Sequence, residues 1–323
     1  MQAIRINQFG DANVLQLQEI ATPKPNPDEA LIRIKFAGVN FRDIYLRNGR
    51  QPIDLPCTPG LEASGIVEAI GENVKEVQPG DRVAYSSTIG SYAEFNIVKA
   101  WQLIPLPDDI SFEQGATFPL QGMTAHYLLH EFYQIKPGDQ VLVHAAAGGL
   151  GLLLVQWLKH KGAVVIGTVS TPEKARIAKE AGADHIIFYN TEDFVTATKK
   201  LTQNKGVDYI LDGVGKTTFT KDLEAVRIRG CICLYGSASG PADPFPPNSL
   251  QAKALTLAGG TLINFITTRE EMLTRAAAVI DGMRAGWLKL KIGQIFPLAQ
   301  AAEAQRLLES RKTIGKIILE VAK

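Results

Sequence analysis

The feature that most constrains the fold of this chain is a glycine-rich turn between an apolar run and a helix-like segment. Residues 141–151 read Val-Leu-Val-His-Ala-Ala-Ala-Gly-Gly-Leu-Gly, and helical spacing follows from Leu152 to Lys161. Such a turn presents backbone N–H groups at a helix N-terminus, where a pyrophosphate binds. Against the pattern G-x-G-x-x-G, the three positions are Ala146, Gly148 and Gly151, so the first glycine is missing. The turn predicts dinucleotide binding, although by itself it is a weak match.

The end of the second apolar run, residues 164–169, indicates which dinucleotide. An acidic residue roughly 20 residues past the turn would bind the ribose 2′-hydroxyl of NAD, and none stands there. Instead the chain reads Ser170-Thr171-Pro172-Glu173-Lys174, whose hydroxyls and lysine charge suit an additional phosphate. This favours NADPH over NADH. Two structural interpretations stay open: Ser170 to Glu173 as a capping box, and Lys174 as a solvated charge.

The rest of the chain divides into two patterns. From Gln140 onward, short apolar runs alternate with amphipathic stretches, which indicates a doubly wound parallel sheet in an α/β fold. The first 120 residues instead show period-two alternation, as in Leu31–Phe36 and Tyr92–Val98, broken by proline and glycine. That pattern predicts a mainly antiparallel or barrel-like β domain. We expect ligands to bind between the two domains, over the carboxyl ends of the parallel strands.

Composition limits the classes of partner. With 323 residues, 46% of them hydrophobic, the chain is long enough for about two domains. No apolar run has the length of a membrane span, and the first residues lack an apolar signal core, so a cytoplasmic location is expected. The net charge is only +1 and no dense Lys/Arg block occurs, which argues against a nucleic-acid partner.

Several motifs, in order, carry a resemblance that extends over essentially the whole chain. They are Gly-Val-Asn-Phe-Arg-Asp-Ile-Tyr at 38–45, Pro-Gly-Leu-Glu-Ala-Ser-Gly at 59–65, Gln-Gly-Met-Thr-Ala at 121–125, the turn at 144–151, and Glu-Ser-Arg at 309–311. With them the sequence resembles the zinc-independent, zeta-crystallin-like quinone oxidoreductases of the medium-chain dehydrogenase/reductase superfamily. The resemblance also accounts for Ala146, because the family commonly has alanine there.

The resemblance implies a GroES-like catalytic domain at 1–121, a Rossmann NADPH-binding domain at 122–262, and a return of 263–323 to the catalytic domain. It further implies NADPH in the interdomain cleft and homodimers paired through the edges of the Rossmann sheets.

Metal chemistry is not expected. Zinc-containing relatives have a cysteine shortly after the Gly-Val-Asn region, Gly-His-Glu in place of Gly60-Leu61-Glu62, and a four-cysteine lobe, whereas this chain has three cysteines in all. Catalytic zinc usually needs three protein ligands. Cys231 and Cys233 lie two apart in an apolar run, which indicates a packed strand. His126 and His130 share a helical face without the glutamate of a zinc-protease motif, and we interpret them as structural.

By the same resemblance, Asn40 and Tyr45 border the nicotinamide and the substrate, Thr124 helps to fix the carboxamide, and Arg42 lies in the same turn. Tyr45 is the candidate hydrogen-bond donor to the acceptor oxygen, since a phenol donates near neutral pH; alternatively it packs the β domain.

The remaining cofactor contacts follow from the resemblance with structural alternatives beside them. Tyr189 would pack near the adenosine phosphate and Arg311 would reach toward a phosphate, unless both are surface residues. Gly236, Ser237 and Phe265 would line the nicotinamide side, unless Phe265 packs the domain junction. The candidate cofactor residues are Ala147, Gly148, Gly149, Leu150, Gly151, Ser170, Thr171, Lys174, Tyr189, Gly213, Gly236, Ser237, Phe265 and Arg311. Gly213 has an equally good interpretation as part of a plain turn.

These features together predict an NADPH:quinone oxidoreductase that works without zinc, by one-electron or two-electron reduction. An NADPH-dependent alkenal, enone or enoyl-thioester reductase is the enzymatic alternative, because the same cleft supports both reactions. A third hypothesis is an NADPH-binding structural or RNA-binding protein of crystallin type, against which the weak charge asymmetry argues.

Overall fold

The computed structural model describes residues 1–321, which form two compact units. The first unit comprises Met1–Met123, Ile266–Ala277 and the chain from Leu290 on, and the second comprises Thr124–Phe265 and Ala278–Lys289. The domain limits expected from the sequence, at 1–121, 122–262 and 263–323, stay predictions. No helix within residues 1–321 is both long and apolar enough to cross a membrane.

The second unit is built on a six-stranded sheet whose strands are all parallel, as the alternating pattern predicts. Because helices follow the strands, the strands are apolar along most of their length and buried.

Strands and helices are numbered from the start of the chain. Those of the first unit that precede this sheet are β1 (Gln2–Arg5), β2 (Gln16–Glu19), β3 (Glu29–Val39), α1 (Phe41–Arg47), β4 (Glu62–Ile70), β5 (Arg82–Ser86), β6 (Phe95–Lys99), β7 (Ile104–Pro105) and α2 (Phe112–Gly115).

Helix α3 (Phe118–His130) leads into the sheet. The elements that follow are β8 (Gln140–Val143), α4 (Gly149–His160), β9 (Val164–Val169), α5 (Pro172–Glu180), β10 (His185–Phe188), α6 (Phe194–Leu201), β11 (Val207–Asp212), α7 (Phe219–Ala225), β12 (Val226–Leu234) and β13 (Thr256–Ala258). The spatial order is β10-β9-β8-β11-β12-β13. The strand order therefore reverses beside β8, with β9 and β10 on one side of it and β11 to β13 on the other. The carboxyl ends of β8, β9 and β11 meet at this point, which is where such sheets bind ligands.

The remaining elements are α8 (Arg269–Arg284), which is divided between the two units after Ala277, and β14 (Ile292–Pro297), α9 (Ala301–Glu309) and β15 (Lys316–Glu320), which belong to the first unit. The sheet of the first unit has the order β14-β15-β3-β4-β5-β7, with β6 also paired to β3. It is antiparallel apart from the parallel pair β14 and β15. The end of the described chain thus completes the β domain, because β15 pairs with Phe36–Val39 of β3.

Two predicted segments begin elsewhere for local reasons. The strand expected from Tyr92 begins at Phe95, since Tyr92 turns inward and its amide and carbonyl bond to Pro59 and Ile4. Helix α4 begins at Gly149, inside the glycine turn, three residues earlier than expected. Helix α6 begins after Asp193, whose carboxylate accepts the amide of Thr196 and so caps the helix.

Candidate active site

The candidate substrate residues lie at the start of α1 in the first unit. Asn40 is the N-cap of this helix, in an extended conformation, and is 5% exposed. Its side-chain Oδ1 accepts a hydrogen bond from the Lys316 ammonium at 2.6 Å, and its Nδ2 donates to Glu62 Oε2 at 3.1 Å and to the Gly38 carbonyl at 3.4 Å. The amide of Asn40 is therefore held between a buried cation and a buried anion.

Asp43, in the first turn of α1, is completely buried. Its Oδ2 accepts the backbone N–H of Asn40 at 2.8 Å and the hydroxyl of Tyr92 at 2.9 Å, whereas Oδ1 has no hydrogen-bond partner in the described chain. Burial raises the pKa of Asp43 to about 7, although the hydrogen bonds from Asn40 and Tyr92 favour the charged form. The carboxyl thus titrates near neutral pH in the folded protein.

Tyr45 is half-buried on α1 and is held by its ring. The Phe41 ring lies 6.4 Å away between centroids, and the Arg50 guanidinium lies 4.5 Å from the Tyr45 centroid. The Tyr45 hydroxyl forms no hydrogen bond with residues 1–321, so it is available as a donor, whereas the Arg42 Nε donates to Gln51 at 3.3 Å. The ring contacts also show that the packing interpretation of Tyr45 and its donor role are compatible.

The positions at which zinc-containing relatives have ligands do not fit a zinc ion here. Leu61 is apolar and buried. Within residues 1–321, the charged side chains bonded to Asn40 are the carboxylates of Glu62 and Asp43 and the ammonium of Lys316, none of which is a thiolate or an imidazole. Zinc prefers cysteine and histidine ligands in tetrahedral geometry. The Lys316 nitrogen lies 2.6 Å from both the Asn40 and the Glu62 oxygen, so the ammonium is itself the cation between them.

In the second unit, the glycine turn forms an anion-binding helix start. Gly148 is the N-cap of α4, and its N–H donates to the Ala145 carbonyl at 2.9 Å. The next N–H groups, of Gly149, Leu150 and Gly151, have no carbonyl four residues earlier within the helix. A Cβ on Gly151 would lie 2.3 Å from the Ala145 oxygen, so only glycine allows this close approach. The turn fits the pyrophosphate of a dinucleotide.

A buried polar cluster holds this turn from below. His144, directly after β8, lies 2.9 Å from Asp222 through Nε2 and 3.1 Å from the Thr168 hydroxyl through Nδ1. Asp212, at the end of β11, accepts the amides of Val214 and Gly215. Burial raises the pKa of Asp222 to about 7 against the opposing charge of His144.

Nitrogen and oxygen atoms of His144, Asp212 and Asp222 all lie within 4.8 Å of one another, a set with the composition of a metal site. Both Asp212 oxygens accept hydrogen bonds, Oδ2 from Thr218 at 2.8 Å. Asp222 Oδ2 has no hydrogen-bond partner among the described residues. Because both Asp212 oxygens are occupied and His144 bonds to Asp222, we interpret the cluster as a tie that joins the loop after β8 to α7.

At the start of α5, Thr171 is the N-cap and Pro172 the first helical residue. The Thr171 hydroxyl oxygen accepts the Lys174 amide at 3.3 Å, and the third helical residue is Lys174, so Ser170 and Glu173 do not form a capping box. Lys174 is partly buried, and burial lowers its pKa while Glu173 opposes the shift. A cation in the first turn of a helix opposes the helix dipole, so this position favours a bound anion.

Two further candidate segments pack against each other in the second unit. A Cβ on Gly213 would lie 2.7 Å from the Tyr235 ring, and one on Gly236 would lie 2.7 Å from the Gly213 carbonyl. The glycines therefore allow the loops after β11 and β12 to touch, and Ser237 lies directly after this contact. Phe265 stacks on Tyr127 with centroids 4.3 Å apart, so it packs within the second unit.

The other candidates are placed separately. Tyr189 follows β10 and is 45% exposed, and its amide donates to the Val169 carbonyl at the end of β9. Thr124 is buried on α3. Arg311 is exposed just after α9 and has a positive φ of 57°. The structure therefore brings Asn40, Arg42 and Tyr45 together on one helix start and most cofactor candidates to the carboxyl end of one sheet.

The cysteines and histidines outside the site have structural surroundings. Cys231 and Cys233 are buried and free in β12, where burial raises the pKa of Cys231 to about 11 and of Cys233 to about 12. His126 and His130 stack on each other at 4.2 Å and both contact the edge or face of Trp157.

Sequence analysis missed the residues that support the site. Lys316 interrupts the otherwise apolar run Ile314 to Leu319, and a single cation in a buried strand is the signal that would have found it. His144 was recognised only as part of the turn, and Asp222 not at all, because neither belongs to a motif of its own.

With this geometry in place, comparison with known proteins identifies the class. A model of the alcohol dehydrogenase GroES-like domain matches residues 26–108, and a model of the zinc-binding dehydrogenase domain matches residues 149–278. The two models match the antiparallel β domain and the parallel-sheet domain respectively. Together they define the architecture of the medium-chain dehydrogenases and reductases.

Individual relatives align over nearly the whole chain. Quinone oxidoreductase 1 of Escherichia coli K12 is 39% identical over 321 residues, covering 98% of each sequence. A 2-haloacrylate reductase from a Burkholderia species is 38% identical over 328 residues, covering 99% of this chain and 98% of the relative. The solved structure of E. coli quinone oxidoreductase complexed with NADPH has a TM-score of 0.97 at 38% identity, covering 99% of this chain and 100% of the other. This chain belongs to the quinone oxidoreductase family of that superfamily.

The pH dependence of unfolding tests the protonation of Asp43. The folded state keeps this carboxyl protonated up to about pH 7, whereas the unfolded chain ionises it near 3.8. Its contribution to the free energy of unfolding is therefore present at low pH and falls as the pH rises between these values, by up to about 1.4 kcal/mol per pH unit. Asp222, whose pKa is raised to about 7 as well, contributes a similar fall in both proteins. We therefore expect urea titrations to show a smaller fall in Asp43→Asn than in the wild type, the difference between them changing with pH over this range.

Asp193→Asn is the control for this experiment. The hydrogen bond from Lys221 lowers the pKa of Asp193 to about 2, so its contribution is present above pH 3.8 and is lost on acidification. The two substitutions should change the pH profile in opposite directions. A constant difference between wild type and Asp43→Asn across this pH range contradicts the raised pKa.

Proposed function

We propose that the chain is an NADPH-dependent quinone reductase. The observation that carries the proposal is the combination of a pyrophosphate-binding helix start at Gly148 with full-length similarity to named quinone oxidoreductases, one of them solved with NADPH. The absence of an acidic residue after β9 supports NADPH over NADH.

The candidate residues divide the binding of NADPH among them. The amides of Gly149, Leu150 and Gly151 receive the pyrophosphate, and Ser170, Thr171 and Lys174 the 2′-phosphate. The Thr171 oxygen accepts the Lys174 amide, and its hydroxyl proton stays available for a phosphate oxygen. Ala147, Tyr189, Gly213, Gly236, Ser237, Phe265, Thr124 and Arg311 complete the proposed cofactor contacts.

When bound, NADPH supplies a hydride equivalent to the acceptor. The protein's task is then to orient the quinone and to stabilise the negative charge that develops on its oxygen. The free hydroxyl of Tyr45 is the proposed donor to that oxygen. Asn40 and Arg42 border the acceptor, and Arg42 is oriented by its bond to Gln51.

A second candidate function has a specific observation behind it. The Burkholderia relative is a 2-haloacrylate reductase, which reduces an activated carbon–carbon double bond by its name. The same donor hydroxyl would stabilise the enolate oxygen formed when a hydride adds to an enal or enone. The acceptor therefore distinguishes the two hypotheses.

The direct test is the rate of NADPH oxidation with a panel of ortho- and para-quinones, enals, 2-haloacrylates and enoyl-CoA esters. We expect kcat/KM for at least one quinone to exceed that for every alkene. Efficient reduction of alkenes without reduction of quinones makes the second function the correct one. Tight NADPH binding without turnover of any acceptor supports a binding or structural protein instead.

The Tyr45→Phe variant tests the donor role. Loss of one hydrogen bond to a developing oxyanion should lower kcat by about 100-fold, while the dissociation constant of NADPH stays within about twofold. Steady-state kinetics and fluorescence titration measure the two quantities.

Tyr133→Phe is the matched control, because it removes a phenol that donates to Asp139 in the second unit. We expect its kcat to equal that of the wild type. A Tyr45→Phe enzyme with wild-type turnover excludes the donor role.

The Lys174→Ala variant tests the phosphate pocket. Loss of a charged hydrogen bond should lower the preference for NADPH over NADH by about tenfold. Lys179→Ala, in the last turn of the same helix, serves as the control and should leave the ratio unchanged. If the ratio of the two dissociation constants is the same in Lys174→Ala as in the wild type, Lys174 does not recognise the 2′-phosphate.

We further propose that the protein is a homodimer in the cytoplasm. The short strand β13 lies at one edge of the parallel sheet and pairs with β12 on one side only within the described chain, which supports association through this edge.

A further inference from the structure

The ammonium of Lys316 is a buried charged group of the first unit that has no role in the proposed function. The lysine begins β15, and its side chain is 1% exposed. It donates to Asn40 Oδ1 and to Glu62 Oε2, both at 2.6 Å. Because removal of a charge from water is costly, a buried ammonium persists only where such partners are fixed.

Glu62 closes the arrangement. Its Oε2 accepts from both Lys316 and Asn40, and its Oε1 accepts the Leu120 amide at 2.7 Å. Each of Lys316, Asn40 and Glu62 is therefore hydrogen-bonded to the other two. We name these three residues the buried triad.

The triad allows one orientation of the Asn40 amide. Its oxygen faces the ammonium and its nitrogen faces the carboxylate. A flipped amide would place its N–H₂ group against the ammonium and its oxygen against the carboxylate, which are both repulsive contacts. Asn40 is also bonded through its backbone N–H to Asp43, in the first turn of α1.

We propose that Lys316 is a positioning residue for acceptor reduction. With Glu62 it fixes the orientation of the Asn40 amide and, through Asn40, the start of α1. Tyr45, the proposed donor, lies one turn further along this helix. The inference rests on the proposed function, because it assigns Lys316 a role in the same site.

A purely structural role makes a different prediction. If the triad only stabilises the fold, removal of both charges together should restore an active enzyme, since no unpaired charge is left buried. If Lys316 positions Asn40, an enzyme without both charges folds but turns over slowly. The double variant Lys316→Met with Glu62→Gln therefore distinguishes the two roles.

We expect the double variant to unfold at a higher urea concentration than Lys316→Met alone. The dissociation constant of NADPH should stay within about twofold of the wild type, and kcat for a quinone should fall about 10- to 100-fold. Lys253→Met is the control, because this lysine donates to three backbone carbonyls of the second unit. Its stability should fall and its kcat should not. Wild-type kcat in a folded double variant overturns the proposal.

A double-mutant cycle tests whether Lys316 acts on the reaction through Asn40. In the Asn40→Ala background, loss of both triad charges should change kcat by less than about twofold, because Lys316 then has nothing to orient. Independent, multiplicative effects on kcat contradict action through Asn40.

Hydrogen exchange provides a measurement that needs no activity. Peptides that cover residues 40–47 should exchange at least about tenfold faster in the double variant than in the wild type, and at the wild-type rate in Lys253→Met. If the wild type reduces no quinone, the proposed function is wrong, and unchanged exchange of this segment overturns the positioning role separately.

Discussion

The structure of the first unit depends on how it accommodates buried charge. Lys316 and Glu62 are both almost inaccessible to solvent, and Asn40 completes their hydrogen bonds. The three residues come from β15, β4 and the start of α1, so one polar contact joins the end of the chain to its first helix. Replacement of such a pair by apolar residues is often neutral or stabilising, which means that stability alone does not explain its presence.

The second unit solves a related problem in the same way. The N–H groups of the glycine turn must stay accessible to an anion, so no side chain can pack over them. The turn is held from below by His144, Thr168 and Asp222, which lie at or near the ends of β8 and β9 and on α7. The Ala145 amide and the Ala146 amide both donate to Thr168. Two buried polar clusters thus fix the two segments that the proposed reaction requires. Neither cluster bonds to the hydroxyl of Tyr45, the proposed donor.

Sequence patterns predicted the fold class well because it follows from local rules. Apolar runs between amphipathic stretches require a parallel sheet, and the second unit has six parallel strands. The motif residues Asn40, Arg42 and Tyr45 all lie within residues 40–45, so their proximity was also predictable. The contact between Asn40 and Lys316 spans 276 residues, and no local pattern encodes such a pairing.

The Lys316 ammonium cannot take the role of a catalytic metal ion. A zinc ion polarises a bound carbonyl oxygen directly as a Lewis acid. The Lys316 ammonium is already bonded to Asn40 and Glu62, and its charge is balanced by the carboxylate, so it acts on an acceptor only through the residues that it orients. In the proposed function, stabilisation of the developing oxyanion is therefore assigned to the hydroxyl of Tyr45. This suits acceptors that are already electron-poor, as quinones and activated alkenes are, because they require less polarisation than a simple ketone.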